Sequence, residues 1–438
     1  MKKPNSKLVS YLFLIVLLIL FTKVEGADFD FDQFFEKSVL RIDYELVGDA
    51  NTQLFVLKQL KKQNNWSGTE QLAKETDSDF GDYRYSVYDS ASNKLLYKNG
   101  FSSLFHEWQT TPEAKKTTAG YYHVNLMPFP RKTIRYLLEK RRFTDGEFEV
   151  ISQLYINPND YFIREEIPEP VPFSIIEGGD SVNQKIDLVF IAEGYTRDEM
   201  EKFKNDVVRM WNYMSQIPPF DSFADDFNVY ALELPSNESG TDIPGKLVYK
   251  NTALNFSFYT FNTPRYLTTT DIKALHDAAA VVPYDHLFVL INSETYGGGG
   301  FYNYYSASTS DHPLSEKVAI HEFGHGFAGL ADEYYDSSVA YDGYYNLKVE
   351  PWEPNITTLV NFEKKWKDML QEGIEIPTKR IKKYKNTLGV FEGGGYSGKG
   401  IYSPYQDCRM KSNKPDGFCP ICSEAIKKTI EKYTGRNK

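Results

Sequence analysis

The chain has 438 residues, a formal charge of −10 and only seven histidines and three cysteines. Its length exceeds one ordinary hydrophobic core, so a multidomain α+β protein with two folded units is expected. The acidic balance argues against nucleic acid or an anionic membrane surface as a partner.

Residues 1–26 read as a secretory signal. Lys2, Lys3 and Lys7 form a basic start, and the apolar run 8–21 is too short for a comfortable membrane span. Small residues near Gly26 place cleavage before Ala27, and no cysteine follows to carry a lipid. The expectation is a secreted or cell-envelope protein without stable membrane insertion. Removing residues 1–26 takes away four lysines and one glutamate, so the formal charge falls from −10 to −13.

From 27 to 163 the pattern is short runs of alternating polarity, among them LRIDYEL (40–46), YRYSVYD (83–89) and FEVISQLYI (148–156), separated by turn-rich pieces. This predicts an all-β sandwich, and the abundance of aromatics, 32 Tyr and 30 Phe, suits its packing. Residues 164–172 (REEIPEPVP) combine proline with acids and read as a linker. The domain expected over 173–438 has a different character. KIDLVFIA (185–192) predicts a buried strand, 197–216 a helix, and 230–234 and 286–292 further strands. The glycine run 297–300 reads as a flexible turn. Residues 302–309 read as an edge strand that could pair with substrate backbone.

Residues 321–333, HEFGHGFAGLADE, carry the chemistry. His321 and His325 are four apart, so a helix presents both on one face, where two imidazoles can hold one metal ion. Glu322 stands beside them as a general base for water. This is the H-E-x-x-H zinc-peptidase pattern. Seven histidines in 438 residues make a chance match an event on the order of 0.01 per chain. The preceding SEKVAI (315–320) reads as helix, and Gly326 and Gly329 end it soon after His325. Hydrolytic zinc takes three protein ligands. A glycine turn followed by an acid three residues later favours Asp332 as the third, with Glu333, Glu350, Glu353 and Glu363 as alternatives. Met410, in the turn-like DCRMKSN, is expected as an apolar floor under the histidines. Tyr334 and Tyr405 are candidates for supporting an oxyanion.

HEFGHGFAGLADEY (321–334), with Cys408, Met410, Phe418, Cys419 and Cys422 in a C-x-M…F-C-x-x-C pattern, resembles the IgA-peptidase-type metallopeptidase family. LVFIAEGY (188–195) and FEGGGY (391–396) are similar to it too, and the resemblance covers roughly 172–435. The N-terminal part resembles the β-rich domain that precedes this catalytic domain in Bacteroidetes homologues. The resemblance implies a metzincin-like α/β fold and a secreted zinc endopeptidase, with His321 and His325 as ligands and Glu322 as base. Relative to the metzincin pattern, the glycine and the acidic ligand each stand one residue later.

Three cysteines in an exported chain let two pair, and Cys408 with Cys419 or Cys422 would staple the loop after Met410. A structural zinc site is disfavoured, because no fourth ligand is evident nearby, and a thioredoxin-like role for CPIC (419–422) lacks its βαβ context. The functional expectation is a zinc-dependent endopeptidase acting on extracellular proteins, host glycoproteins such as immunoglobulins among the candidates. The alternative is a non-catalytic surface module that binds protein or glycan and keeps a structural metal site.

Overall fold

The computed structural model describes residues 30–74, 79–335 and 343–436; the expected signal segment lies outside them. The N-terminal part is a two-sheet sandwich. One sheet holds β1 (Phe35–Gly48), β2 (Gln53–Gln63), β5 (Ala119–Pro130) and β8 (Ile163–Glu165) in the order β5-β1-β2-β8. The other holds β3 (Tyr83–Asp89), β4 (Leu95–Phe101), β6 (Ile134–Arg141) and β7 (Phe148–Ile156) in the order β4-β3-β6-β7. Period-two alternation explains the core. Leu40, Ile42, Tyr44 and Leu46 point inward from β1 and meet Tyr83, Tyr85 and Val87 of β3. The linker expectation is corrected at its start. Ile163–Glu165 pairs in parallel with Leu60–Lys62, because Glu166 is held there by Lys61 and Gln63.

The second part is built on a six-stranded sheet, order β13-β14-β12-β10-β11-β9. Its members are β9 (Phe173–Glu177), β10 (Ile186–Glu193), β11 (Phe227–Leu232), β12 (His286–Ile291), β13 (Gly298–Phe301) and β14 (Tyr305–Thr309). The central strands β11, β10, β12 and β14 are parallel, and both edges are antiparallel. Every residue of β10 and β12 is buried, as a sheet covered on both faces requires. Leu188, Phe190 and Ala192 face α1 (Met200–Met214), α3 (Ser315–Ala328) and α4 (Pro420–Thr434). Val189 and Ile191 face α2 (Ile272–Ala279) together with Leu104 and Val124 of the sandwich.

Two expectations around the glycine run are corrected. Gly298–Phe301 is an edge strand, not a turn, and β14 is an inner strand between β12 and β13. The physical reason is proximity to α3. A Cβ on Gly298 would lie 2.7 Å from Glu322 Oε1, and one on Gly300 would lie 2.4 Å from the Glu322 carbonyl oxygen. The glycines are required by close approach of a helix, not by turn geometry.

Candidate active site

Helix α3 divides its surface cleanly. Ala319, Ile320, Phe323 and Phe327 are buried against the sheet and neighbouring helices. The opposite face carries His321, Glu322 and His325, all half-buried and all lining a cavity of about 340 Å³. Gly326 allows the contact with the sheet, since a Cβ there would lie 2.2 Å from Ser306 Oγ. The helix ends at Gly329, whose φ of 62° turns the chain back towards the histidines.

That reversal brings in Asp332. Its Oδ1 lies 3.1 Å from His321 Nε2 and 3.3 Å from His325 Nε2, and the two Nε2 atoms are 3.0 Å apart. Each ring is oriented through its other nitrogen. His321 Nδ1 bonds the Arg409 carbonyl at 3.0 Å and His325 Nδ1 bonds the Leu330 carbonyl at 2.5 Å. A carbonyl only accepts, so each Nδ1 carries a proton and each Nε2 faces the carboxylate, where it offers a lone pair to a cation once free of its own proton. Three lone-pair donors therefore converge on one point. Ligands about 2.0–2.1 Å from a tetrahedral ion stand roughly 3.3–3.4 Å from one another, close to these separations. Asp332 Oδ1 has no hydrogen-bond partner among the described residues although it is buried. A cation fits this donor set. The electrostatics favour positive charge at this point: burial opposes charge on His325, yet the Asp332 carboxylate outweighs it and pushes its pKa up to about 9, so a cation bound here takes the place of the Nε2 proton. Asp332 in turn is held well below the usual carboxylate range, burial being overcome by the two imidazoles.

The support around Asp332 comes from distant segments. Tyr396, in the turn between β15 (Phe391–Gly394) and β16 (Ser397–Ser403), donates its hydroxyl to Asp332 Oδ2 at 2.7 Å. The Gly395 and Tyr396 amides bond the Asp332 and Tyr334 carbonyls. Asn355, fully buried, bonds the amide and carbonyl of Ala331. Sequence reasoning assigned neither Asn355 nor Tyr396 a role. FEGGGY (391–396) was a signal for the second, while nothing local marks the first.

Met410 packs against the helix at Gly324. It is fully buried, and its sulfur would stand 2.9 Å from a Cβ on Gly324, between the two histidines. Its carbonyl accepts the Glu333 amide at 2.8 Å, and the preceding Arg409 carbonyl orients His321. Tyr334 lines the cavity, its ring 5.6 Å from the Arg265 guanidinium. Tyr405 does not line it and packs against the apolar core behind. Of the other acids, Glu353 lines a far wall and is bonded by Tyr345, Glu350 accepts the Asn361 amide, and Glu363 pairs with Lys367. Glu333 turns away from the histidines altogether, towards the cysteines.

The expected disulfide from Cys408 to Cys419 or Cys422 is not present. All three cysteines are free, and their sulfurs lie with a Glu333 carboxylate oxygen within 4.8 Å of one another.

Glu322 completes the reacting face. Burial raises its pKa, against the pull of the two imidazoles. It faces the backbone of β13, which forms one wall of the cleft. Asp82 and Glu107 of the sandwich form another, and Tyr266 donates its hydroxyl to Glu107 Oε2 at 2.5 Å. The arrangement is an open cleft with a carboxylate beside three atoms that could hold a cation, a layout compatible with metal-assisted hydrolysis.

Two family models match the chain. One described as IgA Peptidase M64 covers residues 174–385 and 379–430, and one described as Peptidase M64 N-terminus covers residues 30–151. A comparison with curated proteins returns no match. The first model alone spans more than half of the chain and takes in His321, Glu322, His325, Asp332 and Met410, so this chain belongs to the M64 peptidase family.

Proposed function

We propose that the protein is an exported zinc endopeptidase that cleaves extracellular proteins. The observation that carries this is the convergence of His321 Nε2, His325 Nε2 and the otherwise unpartnered Asp332 Oδ1 beside Glu322 in an open cleft. Zinc held by these three residues supplies Lewis acidity towards water and towards a peptide carbonyl. Glu322 accepts the proton of the attacking water and hands it to the leaving amine. Arg409 and Leu330 keep both rings in the ligating tautomer through their carbonyls. Met410 gives the helix an incompressible apolar floor, so the histidines hold their spacing. The Tyr334 hydroxyl, kept protonated by burial, is a donor for the developing oxyanion.

On the edge strand β13 the Gly298 amide and carbonyl are already bonded to the Arg265 carbonyl and the Leu267 amide, so the backbone left for a substrate to pair with, next to Glu322, is that of Gly300. This moves the pairing role from 302–309 to the far half of β13. Export rests on residues 1–26 as read from the sequence. Host glycoproteins such as immunoglobulins are the first substrates to try. The deciding experiment is Glu322→Gln, with zinc content and peptide hydrolysis measured side by side. Zinc is expected to remain at wild-type stoichiometry while kcat falls by about 10²–10⁴. Undiminished hydrolysis would remove Glu322 from the mechanism.

A further inference from the structure

We propose a second, structural zinc site formed by Glu333, Cys408, Cys419 and Cys422. It is separate from the cleft and does not depend on the catalytic reading. The four ligand atoms all lie within 4.8 Å of one another, and every one of the four residues is buried. The spacings are those of coordination, not of covalent pairing. Cys408 Sγ and Cys422 Sγ are 3.7 Å apart, and Cys422 Sγ lies 3.2 Å from Glu333 Oε1. A disulfide needs about 2.05 Å between sulfurs. Two thiolates about 2.3 Å from one tetrahedral zinc stand roughly 3.8 Å apart.

The surroundings fit an ion. Glu333 is fully buried among three thiols, and its Oε2 has no hydrogen-bond partner among the described residues. A carboxylate in that position needs a proton or a cation. Asn355 already donates to Oε1 at 3.0 Å, which fixes the carboxylate towards the sulfurs. Cys419 and Cys422 occupy the N-cap and third position of α4, so both thiols project from one turn into the cluster. Binding exchanges the three thiol protons for one Zn²⁺ and involves no redox step. With four protein ligands and no solvent access, the site is closed and has no place for substrate.

Its position gives it a purpose. Glu333 follows Asp332 directly, and Cys408 stands two residues before Met410. The ion ties together the irregular segment that carries Asp332, the Met410 turn and the start of α4.

The test is metal analysis of the full chain purified without chelator, with total thiols counted after denaturation. Two zinc ions and three thiols are expected. His321→Ala/His325→Ala should keep one zinc, and Cys419→Ser/Cys422→Ser should keep the other. Cobalt loaded into the histidine variant should show sulfur-to-cobalt charge transfer in the near ultraviolet. A wild type with one zinc that the histidine variant loses overturns this site and leaves the catalytic one intact. A single zinc that the histidine variant retains does the reverse. One thiol per chain, the signature of a disulfide, also overturns it. If the cysteine variant fails to fold, the cobalt spectrum of the histidine variant still decides.

Discussion

Removal of a single hydroxyl, Tyr396→Phe, tests whether Asp332 is the third ligand. In the structure Tyr396 donates to Asp332 Oδ2 at 2.7 Å, while Oδ1 faces the histidines with no other partner. In the proposed zinc site this bond decides which oxygen is offered to the ion. A hydrogen bond to a buried charged group contributes about 1.5–3 kcal/mol, and 1.4 kcal/mol is a factor of ten. Part of that contribution is present without metal as well, so the upper end is a bound. Outer partners of metal ligands typically change affinity by about 10–100-fold. We expect zinc affinity to fall by roughly tenfold, with kcat close to wild type once zinc is saturating. Competition against a chromophoric chelator measures the first, and peptide hydrolysis in a zinc buffer the second. An unchanged zinc Kd would refute the role given to Asp332 and its tyrosine. A large fall in kcat at saturating zinc would instead place the hydroxyl on the substrate.

Gly300→Ala should disturb the cleft itself. The new Cβ would stand 2.4 Å from the Glu322 carbonyl oxygen and 3.1 Å from His325 Cβ, so helix and edge strand must separate. Overpacking of this kind costs about 1–3 kcal/mol; a denaturation midpoint equal to wild type would show that the two elements are not pressed together. Acid should weaken the fold early. Burial holds His123 at about 4 and His286 at about 3, below their ordinary value of 6.5. Both are neutral when folded, so the unfolded chain binds more protons below pH 6.5, and stability falls as pH drops from there towards 4. Each ring contributes a slope of roughly 1.4 kcal/mol per pH unit. Urea midpoints at pH 7, 6 and 5 check this, and three equal midpoints would contradict it.

The part of the site legible in the sequence was the part set by local periodicity. His321 and His325 share a face because a helix repeats every 3.6 residues, and Gly329 marks the reversal that returns Asp332. Asn355 and Tyr396 were not legible as support, because they reach the site only after the chain has travelled through loops with no repeating pattern. The glycines at 298–300 misled for a physical reason. Glycine signals a turn when backbone freedom is needed, but here it is needed because α3 leaves no room for a side chain. The cysteines misled for a similar reason. Their fourth partner, Glu333, lies 86 and 89 positions before Cys419 and Cys422, so no spacing rule in the C-terminal segment could reveal it. The buried strands β10 and β12 were legible from their uninterrupted apolar runs, whereas β8 was hidden in a segment whose acids suggested solvent.

The N-terminal sandwich is better understood as part of the cleft than as a tethered module. A module on a flexible linker would meet its neighbour through a polar, exchangeable surface. Here the outer face of β1 buries Arg41 and Asp43 completely, and the Arg41 guanidinium bridges Asp43 at 2.6 Å and Asp277 of α2 at 2.8 Å. Leu104 and Val124 join the apolar cluster of the parallel sheet. At the cleft, Asp82 accepts the Trp352 indole at 3.0 Å and Glu107 accepts Tyr266. A buried guanidinium without its carboxylates would be costly, so the sandwich draws part of the charge balance of its interior from Asp277 of the other half. It follows that the walls facing Glu322 are set by both halves at once. Asp82, Ser102 and Glu107 of the sandwich line the same cavity as the histidines, so replacing them is expected to change which peptides the peptidase cleaves.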